Sequence, residues 1–425
     1  MNLARLNHIL IPDSYAGREQ LRRTRVARLS RPLTYLYLRL TPRGRALFIL
    51  TLVVGGLGLQ VETTQVYLLF SLLAGLCLAV LLAGRRFALT DVAVEVTCPR
   101  RVAVGEVQQF AVALTNNGTS RHHSVMVEGP FLPWDGVWQG ETAAVDRLEP
   151  GATTTVTCRG RFSSRGEHHL DPFSAAALLP LGLSSGRRVS SQPARFLVVP
   201  PIAPVARLSL PVGRRHQPGG VAQASKTGEA MDLLGIRPYR PGDPPRDLHA
   251  RSWARLGVPI VREYQEEYFS RVGVVVDTDP RHAEPRRLEA ALSLAAGVVA
   301  RLSGGEALID LLVVGDTVHP LTLGRSLGFL DQALDLLACV QPSAPLDAAR
   351  LSHRLSPFLG RLSAAVLVAL TWDEQRAAFA DLLGRQGVAC HTVVVRGPRA
   401  DGPAGGPGWT AVPVEAVERR EPLWL

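Results

Sequence analysis

Lysine is almost missing from this chain: of 47 basic residues only Lys226 is not an arginine. That skew reads as a compositional bias rather than a patch built for polyanions. The formal charge of +10 therefore does not by itself make the protein a nucleic-acid binder. Ten of the arginines lie in the first 45 residues, so the excess is local. Cysteine is also scarce. Cys77, Cys98, Cys158, Cys339 and Cys390 lie far apart and form neither a Cys-x-x-Cys pair nor a Cys/His zinc spacing. Free thiols are expected, including Cys98 and Cys158 within one β-domain, because the organisation below places that domain in a reducing compartment. A Gly-Lys phosphate loop and nucleophile-elbow glycines are both lacking. So is an apolar segment close behind the N-terminal charges, which a secretory signal needs; the first such run begins at Ala46.

What is present divides the 425 residues into stretches of different period. Residues 1–45 form a basic segment, with Arg18, Arg22, Arg23, Arg25 and Arg28 suited to anionic headgroups and a helix expected over 15–29. Residues 46–84 hold two apolar runs, 46–61 and 66–83, separated by Glu62, Thr63, Thr64 and Gln65. Neither run contains a charge, so both are expected to cross a bilayer, which takes about 20 residues. Arg43, Arg45, Arg85 and Arg86 flank the pair, so by the positive-inside rule both ends are expected in the cytoplasm. Gly55, Gly56 and Gly58 offer a close helix contact. With no charge inside the runs, the pair reads as an anchor and not a transport path.

Residues 88–203 alternate apolar and polar over short segments. Asn116-Asn117-Gly118, Glu149-Pro150-Gly151 and Ser164-Arg165-Gly166 punctuate them, the pattern of an all-β immunoglobulin-like sandwich. His122, His123, His168 and His169 are two adjacent pairs on expected strands. Neighbouring strand residues point to opposite faces, so a pair does not chelate one ion. Residues 204–269 hold a linker and an arginine-rich loop. Residues 270–425 alternate strand and helix, as a doubly wound α/β sheet does.

The loop of residues 235–264 is the most specific stretch. Arg237, Arg240, Arg246, Arg251, Arg255 and Arg262 stand among Asp243, Asp247 and Glu263. Planar guanidinium groups among carboxylates form paired networks. Pro241-Gly242 suits the centre of a type II turn. Arg237, Tyr239, Pro241, Gly242, Asp243, Arg246, His249, Arg251, Ala254, Arg255, Val261, Arg262, Glu263 and Tyr264 resemble the signature of the bacterial domain of unknown function 58 family. One departure is Ala250, where the family has a tryptophan; here the tryptophan is Trp253. Asp171-Pro172-Phe173 is similar to the family's run after its sandwich.

The resemblance implies a von Willebrand factor A-like α/β domain, a membrane anchor and a non-enzymatic role. It also implies a partner, an AAA+ ATPase of the MoxR type, in assembly or maturation of other proteins. Von Willebrand A domains hold Mg²⁺ through Asp-x-Ser-x-Ser, a Thr and a further Asp. Here the run is Asp277-Thr278-Asp279-Pro280-Arg281, with Asp373 after a later strand. Either a hard divalent ion such as Mg²⁺ uses Asp277, Asp279 and Asp373, or Arg281 replaces the ion and pairs with Asp277. No other cofactor is expected. Two other readings remain open. One is a hydrolase or transferase using Asp243, His249 and Glu263 as acid/base groups. The other is a nucleic-acid or anionic-lipid binder using the arginine surplus.

Overall fold

A computed structural model describes residues 39–57, 64–83, 87–89, 91–132, 135–140, 143–210, 233–243, 245–264, 271–304, 308–314, 319–323, 328–397 and 405–425, with isolated positions before residue 25. Most of the expected helix over 15–29, of which Gly17, Gln20, Leu21 and Arg23 are described as helical, lies outside the described residues, as do Gly58 and most of the 204–234 linker. The chain forms two compact units, Met1–Pro200 and Pro201–Leu425.

The first unit opens with helices α1 (Pro42–Leu57) and α2 (Thr64–Ala83). The expectation of a two-helix transmembrane hairpin is corrected here. Among the described residues one helix, at Gln65–Ala83, is long and apolar enough to cross a bilayer. α1 has 16 residues and begins Pro-Arg-Gly-Arg. At 1.5 Å per residue it rises about 24 Å, short of a hydrocarbon core of about 30 Å. Its first four residues precede the apolar run, so only residues 46–57 of that run lie in the described helix. Gly55 does supply the close contact: a Cβ there would lie 2.7 Å from the Phe70 ring, whereas Gly56 faces open space.

Eleven strands follow: β1 (Val92–Thr97), β2 (Arg101–Ala103), β3 (Val107–Asn116), β4 (His122–Glu128), β5 (Gly136–Gln139), β6 (Ala143–Leu148), β7 (Thr153–Phe162), β8 (Gly166–Leu170), β9 (Ser174–Ala177), β10 (Val189–Ser190) and β11 (Ala194–Val199). They make two four-stranded antiparallel sheets, β1-β3-β7-β5 and β10-β9-β4-β6, and a mixed sheet, β2-β11-β8. In coarse form this is an immunoglobulin-like β-domain closed on one core. Strand period 2 explains how: Phe110, Val112 and Leu114 of β3 all point inward. The Phe110 ring lies 5.6 Å from Trp138, 5.7 Å from Phe173 and 5.6 Å from Phe196, edge-on or tilted in each case. Removing such a ring costs about 3–5 kcal/mol. Asn116 ends β3 buried; its amide donates to Ser120 and Leu148 carbonyls, and its Oδ1 accepts from Gly118 N–H.

The segment from Leu178 to Gly186 joins this β-domain to the helices. Thr41 Oγ1 donates to the Gly182 carbonyl at 2.7 Å, and Thr41 N–H donates to Leu183 O. Ser185 N–H donates to Arg39 O, and Leu40 bridges Ser184. Gly44 lies so close that a Cβ would overlap the Leu183 carbonyl.

The second unit comprises β12 (Val205–Arg207), β13 (Leu233–Pro238), α3 (Ala250–Leu256), β14 (Ile260–Tyr264), β15 (Arg271–Asp277), α4 (Pro285–Ser303), β16 (Leu308–Val314), β17 (His319–Leu323), α5 (Gly328–Ala338), α6 (Ala348–Leu359), β18 (Ala364–Ala369), α7 (Glu374–Arg385), β19 (Ala389–Arg396), β20 (Gly405–Gly406), β21 (Trp409–Pro413), α8 (Val414–Glu418) and β22 (Leu423–Trp424). A seven-stranded mixed sheet runs β17-β16-β15-β18-β19-β21-β20, with antiparallel strands at both edges. Val275, Leu312 and Leu367 pack with Leu355, Phe379 and Leu383, so α6 and α7 cover one face. α4 packs on the same strands, its small residues Ala291 and Ala295 buried, while Gly297 makes room for the Ala203 carbonyl and Val205.

The remaining fold expectation is corrected too. The chain is not a single sandwich followed by a doubly wound von Willebrand A-like domain. It is β-rich, its described strands spread over six sheets. Two of these, β12-β22 and β13-β14, stand apart from the large sheets. Many strands have five residues or fewer, too short for a period to be read from sequence.

Candidate functional site

The end of β15 is the chemically densest point in the second unit. The strand is a run of buried valines that stops at Asp277, where the chain must turn. Asp277, Thr278 and Asp279 are all buried. Asp279 N–H donates to Asp277 Oδ1 at 3.0 Å, and Thr278 Oγ1 donates to the Val314 carbonyl. Leu370 N–H donates to Asp277 Oδ2, and Leu346 N–H to Asp279 Oδ2. The two carboxylates are therefore fixed by backbone from three separate segments.

Their counter-charge is Arg376, which is 0% exposed. Its Nε and Nη2 donate to Asp277 Oδ2 at 3.0 and 2.8 Å. Nη2 also reaches Asp279 Oδ2 at 3.0 Å, and Nη1 reaches Asp373 Oδ2 at 2.5 Å. Asp373 caps α7 and accepts from Arg376 N–H. The structure thus brings Asp277, Asp279 and Asp373 together, around a guanidinium. Burial would raise the Asp279 carboxyl. Hydrogen bonds from Arg281, from Leu346 N–H and from Arg376 outweigh it and hold the group well below the usual carboxylate range. Burial would likewise lower Arg376, but Asp277 and its other carboxylate partners raise it.

Arg281 pairs with Asp279, not Asp277: Nη2 lies 2.7 Å from Oδ2, and Nε 3.0 Å from Oδ1. The donor set does not fit Mg²⁺ with Arg376 in place, because an ion needs oxygens at about 2.1 Å where the guanidinium sits. Among the described residues no group of three or more His, Cys, Asp or Glu is placed to hold a metal. Arg376 escaped the sequence reading. Its one local signal is the spacing Asp373–Arg376, an N-cap carboxylate with an arginine three residues on.

The signature stretch forms a separate module. β13 and β14 pair antiparallel, with Arg237 opposite Val261 and Gly235 opposite Glu263. Arg237 grips Asp243 through two bonds of 2.7 and 2.9 Å, and Arg240 N–H donates to Asp243 at 2.8 Å. The Arg237 guanidinium, foremost, holds Asp243 down at about 2. Asp243 N–H closes the turn on Arg240 O, with Gly242 at φ +106° between them. Pro241 and Gly242 thus occupy the turn centre.

The rest of the arginine set is not in that knot. The side chains of Arg240, Arg246, Arg251, Arg255 and Arg262 are exposed, and among the described residues only Arg246 of these approaches a carboxylate, Asp247 at 3.9 Å. α3 buries no residue. Ala250 is exposed, and Trp253 lies one turn on, on the same helix face. Ile236, Tyr239, Trp253, Leu256 and Val258 are all exposed. His249 Nδ1 bonds Ser252 Oγ at 2.6 Å. Among the described residues no hydrogen bond joins His249 to Asp243, and the Glu263 side chain lies outside them. Of the acid/base trio expected from sequence, the two described side chains, Asp243 and His249, are engaged with Arg237 and Ser252 instead.

No protein-family model and no curated protein matches the chain. Solved structures do. Native alpha-2-macroglobulin from Escherichia coli, from domain MG7 to its C-terminus, is 17% identical over 28% of this chain and 20% of its own, with a TM-score of 0.21. The chain thus spans about a fifth of that protein. The CARDB domain of a Pyrococcus furiosus protein, in complex with di-metal ions, is 19% identical over 24% of this chain and 93% of its own, at 0.16. AvmM, which catalyses macrocyclization in alchivemycin A biosynthesis, is 13% identical over 25% and 88%, at 0.18.

Proposed function

We propose that this protein is a membrane-held adaptor whose signature module docks a partner protein. The partner that the sequence resemblance implies is an AAA+ ATPase of the MoxR type. The observation that carries the reading is the surface of residues 236–262. Tyr239, Trp253, Leu256 and Val258 stand exposed among arginines, on a short two-stranded sheet and a helix with no buried side chain. Interface centres are enriched in Tyr, Trp and Arg. Asp243, His249 and Ser252, the residues closest to catalytic types there, are tied into structural bonds instead.

Membrane attachment rests on α2. Tyr67, Leu68, Leu72, Leu78 and Leu82 are each more than half exposed, and so are Ile49 and Leu52 of α1. Water-facing apolar surface on that scale needs a covering medium, and residues flanking it are arginine-rich. The inner membrane of a bacterium, with the β-domain on its cytoplasmic side, is the proposed location.

The test is affinity purification of the tagged full-length chain from native membranes, with and without an ATP analogue. An AAA+ ATPase should be recovered, and Trp253→Ala with Leu256→Ala should lose it. A clean preparation without an ATPase would sink the reading.

A further inference from the structure

A cavity of about 580 Å³ opens on the β-domain between the start of β4, Phe87 and the Leu178–Gly182 segment. Its lining includes Arg121, His122, His123 and Ser124, facing Leu181 and Phe87. We propose that this is a binding site for the phosphate headgroup of an anionic membrane lipid. The inference goes beyond partner docking but rests on the proposed membrane attachment.

Three observations converge on it. The first is position. The Leu178–Gly186 wall is bonded to Arg39, Leu40 and Thr41, and Ser184 Oγ donates to the Val80 carbonyl near the C-terminal end of α2. Where α2 leaves the hydrocarbon, this cavity meets the headgroup layer.

The second is charge. Arg121 and Arg147 share one carboxylate, Glu149, at 3.7 and 3.8 Å. Arg147 pairs across the sheet from His123. Of the two, Arg121 lines the cavity; one carboxylate shared by two guanidinium groups leaves a positive excess at its edge, beside the imidazoles of His122 and His123, which suits a phosphate monoanion.

The third is the apolar rim. Leu181 is 71% exposed and held at φ +70°, a conformation that leucine resists. The turn is held in that conformation by the Thr41 bonds to the Gly182 and Leu183 carbonyls, and it leaves the leucine side chain projecting outward. Acyl chains at the bilayer edge would cover Leu181 and Phe87, which is also exposed.

The experiment uses the full-length chain in dodecyl maltoside micelles and follows its melting temperature. The probes are dihexanoyl-phosphatidylglycerol, dihexanoyl-phosphatidylcholine and inorganic phosphate. Phosphatidylglycerol should give a saturable rise. Arg121→Gln with His123→Gln should weaken its apparent affinity at least fivefold, while Arg195→Gln, on another sheet, leaves it unchanged. Leu181→Gly should melt higher without lipid yet respond less to it, which keeps the test open if the double variant fails to fold. An equal rise with phosphatidylcholine, or one indifferent to the double variant, overturns the site. A matching rise with inorganic phosphate alone overturns the lipid assignment. Flotation of the full chain with neutral phosphatidylcholine vesicles separates the two readings. A chain that floats but shows no variant-sensitive response sinks only the headgroup site, and one that does not float sinks the membrane attachment itself.

Discussion

Arg376 Nη2 lies 2.8 Å from Asp277 Oδ2, and both side chains are fully buried. Ninety-nine residues of chain separate them. The pair ties the N-terminal turn of α7 to the end of β15, at the centre of the seven-stranded sheet. Breaking a buried pair by removing one partner costs about 3–5 kcal/mol, because it strands the other charge. Arg376→Met should therefore lower the stability of the full chain by at least about 3 kcal/mol in chemical denaturation. Arg376→Lys should recover only part, since an ammonium cannot reach three carboxylates with a planar fork. Equal stability of all three proteins would show the network to be dispensable.

Magnesium should leave the melting temperature unchanged. Arg376 already sits among Asp277, Asp279 and Asp373, so an ion would have to displace a guanidinium with no exposed surface. Titration of the full chain with MgCl₂ against a chelator control checks this. A saturable rise that disappears in Asp277→Ala would overturn it.

Acid should weaken the protein through two aspartates. Asp279 and Asp243 both titrate below an ordinary carboxylate, the latter at about 2. A depressed folded-state value stabilises at pH above the unfolded value, about 4, and that contribution fades as pH falls through the folded value. Between pH 4 and 2 the melting temperature should drop. In Asp243→Asn the drop should be shallower, because the lost Arg237 pairing is then absent at every pH. A parallel curve for the variant would contradict the assignment.

His168 sits in the β-domain core with both ring nitrogens facing acceptors. Nε2 is 2.8 Å from Asp135 Oδ2 and Nδ1 is 3.1 Å from the Gly166 carbonyl. Burial would raise Asp135, but the His168 bond and the N–H of Ser164 outweigh it and lower it. His168→Phe keeps the stacking on Phe196 and leaves the buried Asp135 carboxylate with the Ser164 N–H but without its imidazole partner. It should cost about 1–3 kcal/mol, whereas His168→Phe with Asp135→Leu should recover most of that. Additive losses in the double variant would deny the coupling.

Much of the large sheet was legible in the sequence, because a fully buried strand is an apolar run: residues 272–276 stop at Asp277 with no ambiguity of period. α4 was legible from its stripe of Leu288, Ala291, Leu292, Ala295 and Val299. α6 was not. It carries Pro357 inside, and its apolar side rests on only a few leucines. The first apolar run was over-read as a span, because absence of charge says nothing about where a helix ends. At the site, the three aspartates were readable as a set. Arg376 was not, because the sequence offers many arginines and only the fold selects the one that reaches all three. The same surplus hid how few of the signature arginines are paired: Arg237 is knotted to Asp243, while Arg251 and Arg255 stand exposed.

The junction at Thr41, Gly44 and Leu183 bears on orientation. Backbone bonds and a glycine contact too tight for a methyl group leave the β-domain no free swivel about the end of α2. Its rotational freedom is given up when the chain folds, not when something binds to it. A ligand that meets this domain finds it already presented, and association then costs less than it would for a head on a loose tether. Lengthening the junction by a few glycines would restore the swivel while leaving every contact surface intact, and any loss of binding that followed would measure what fixed presentation contributes.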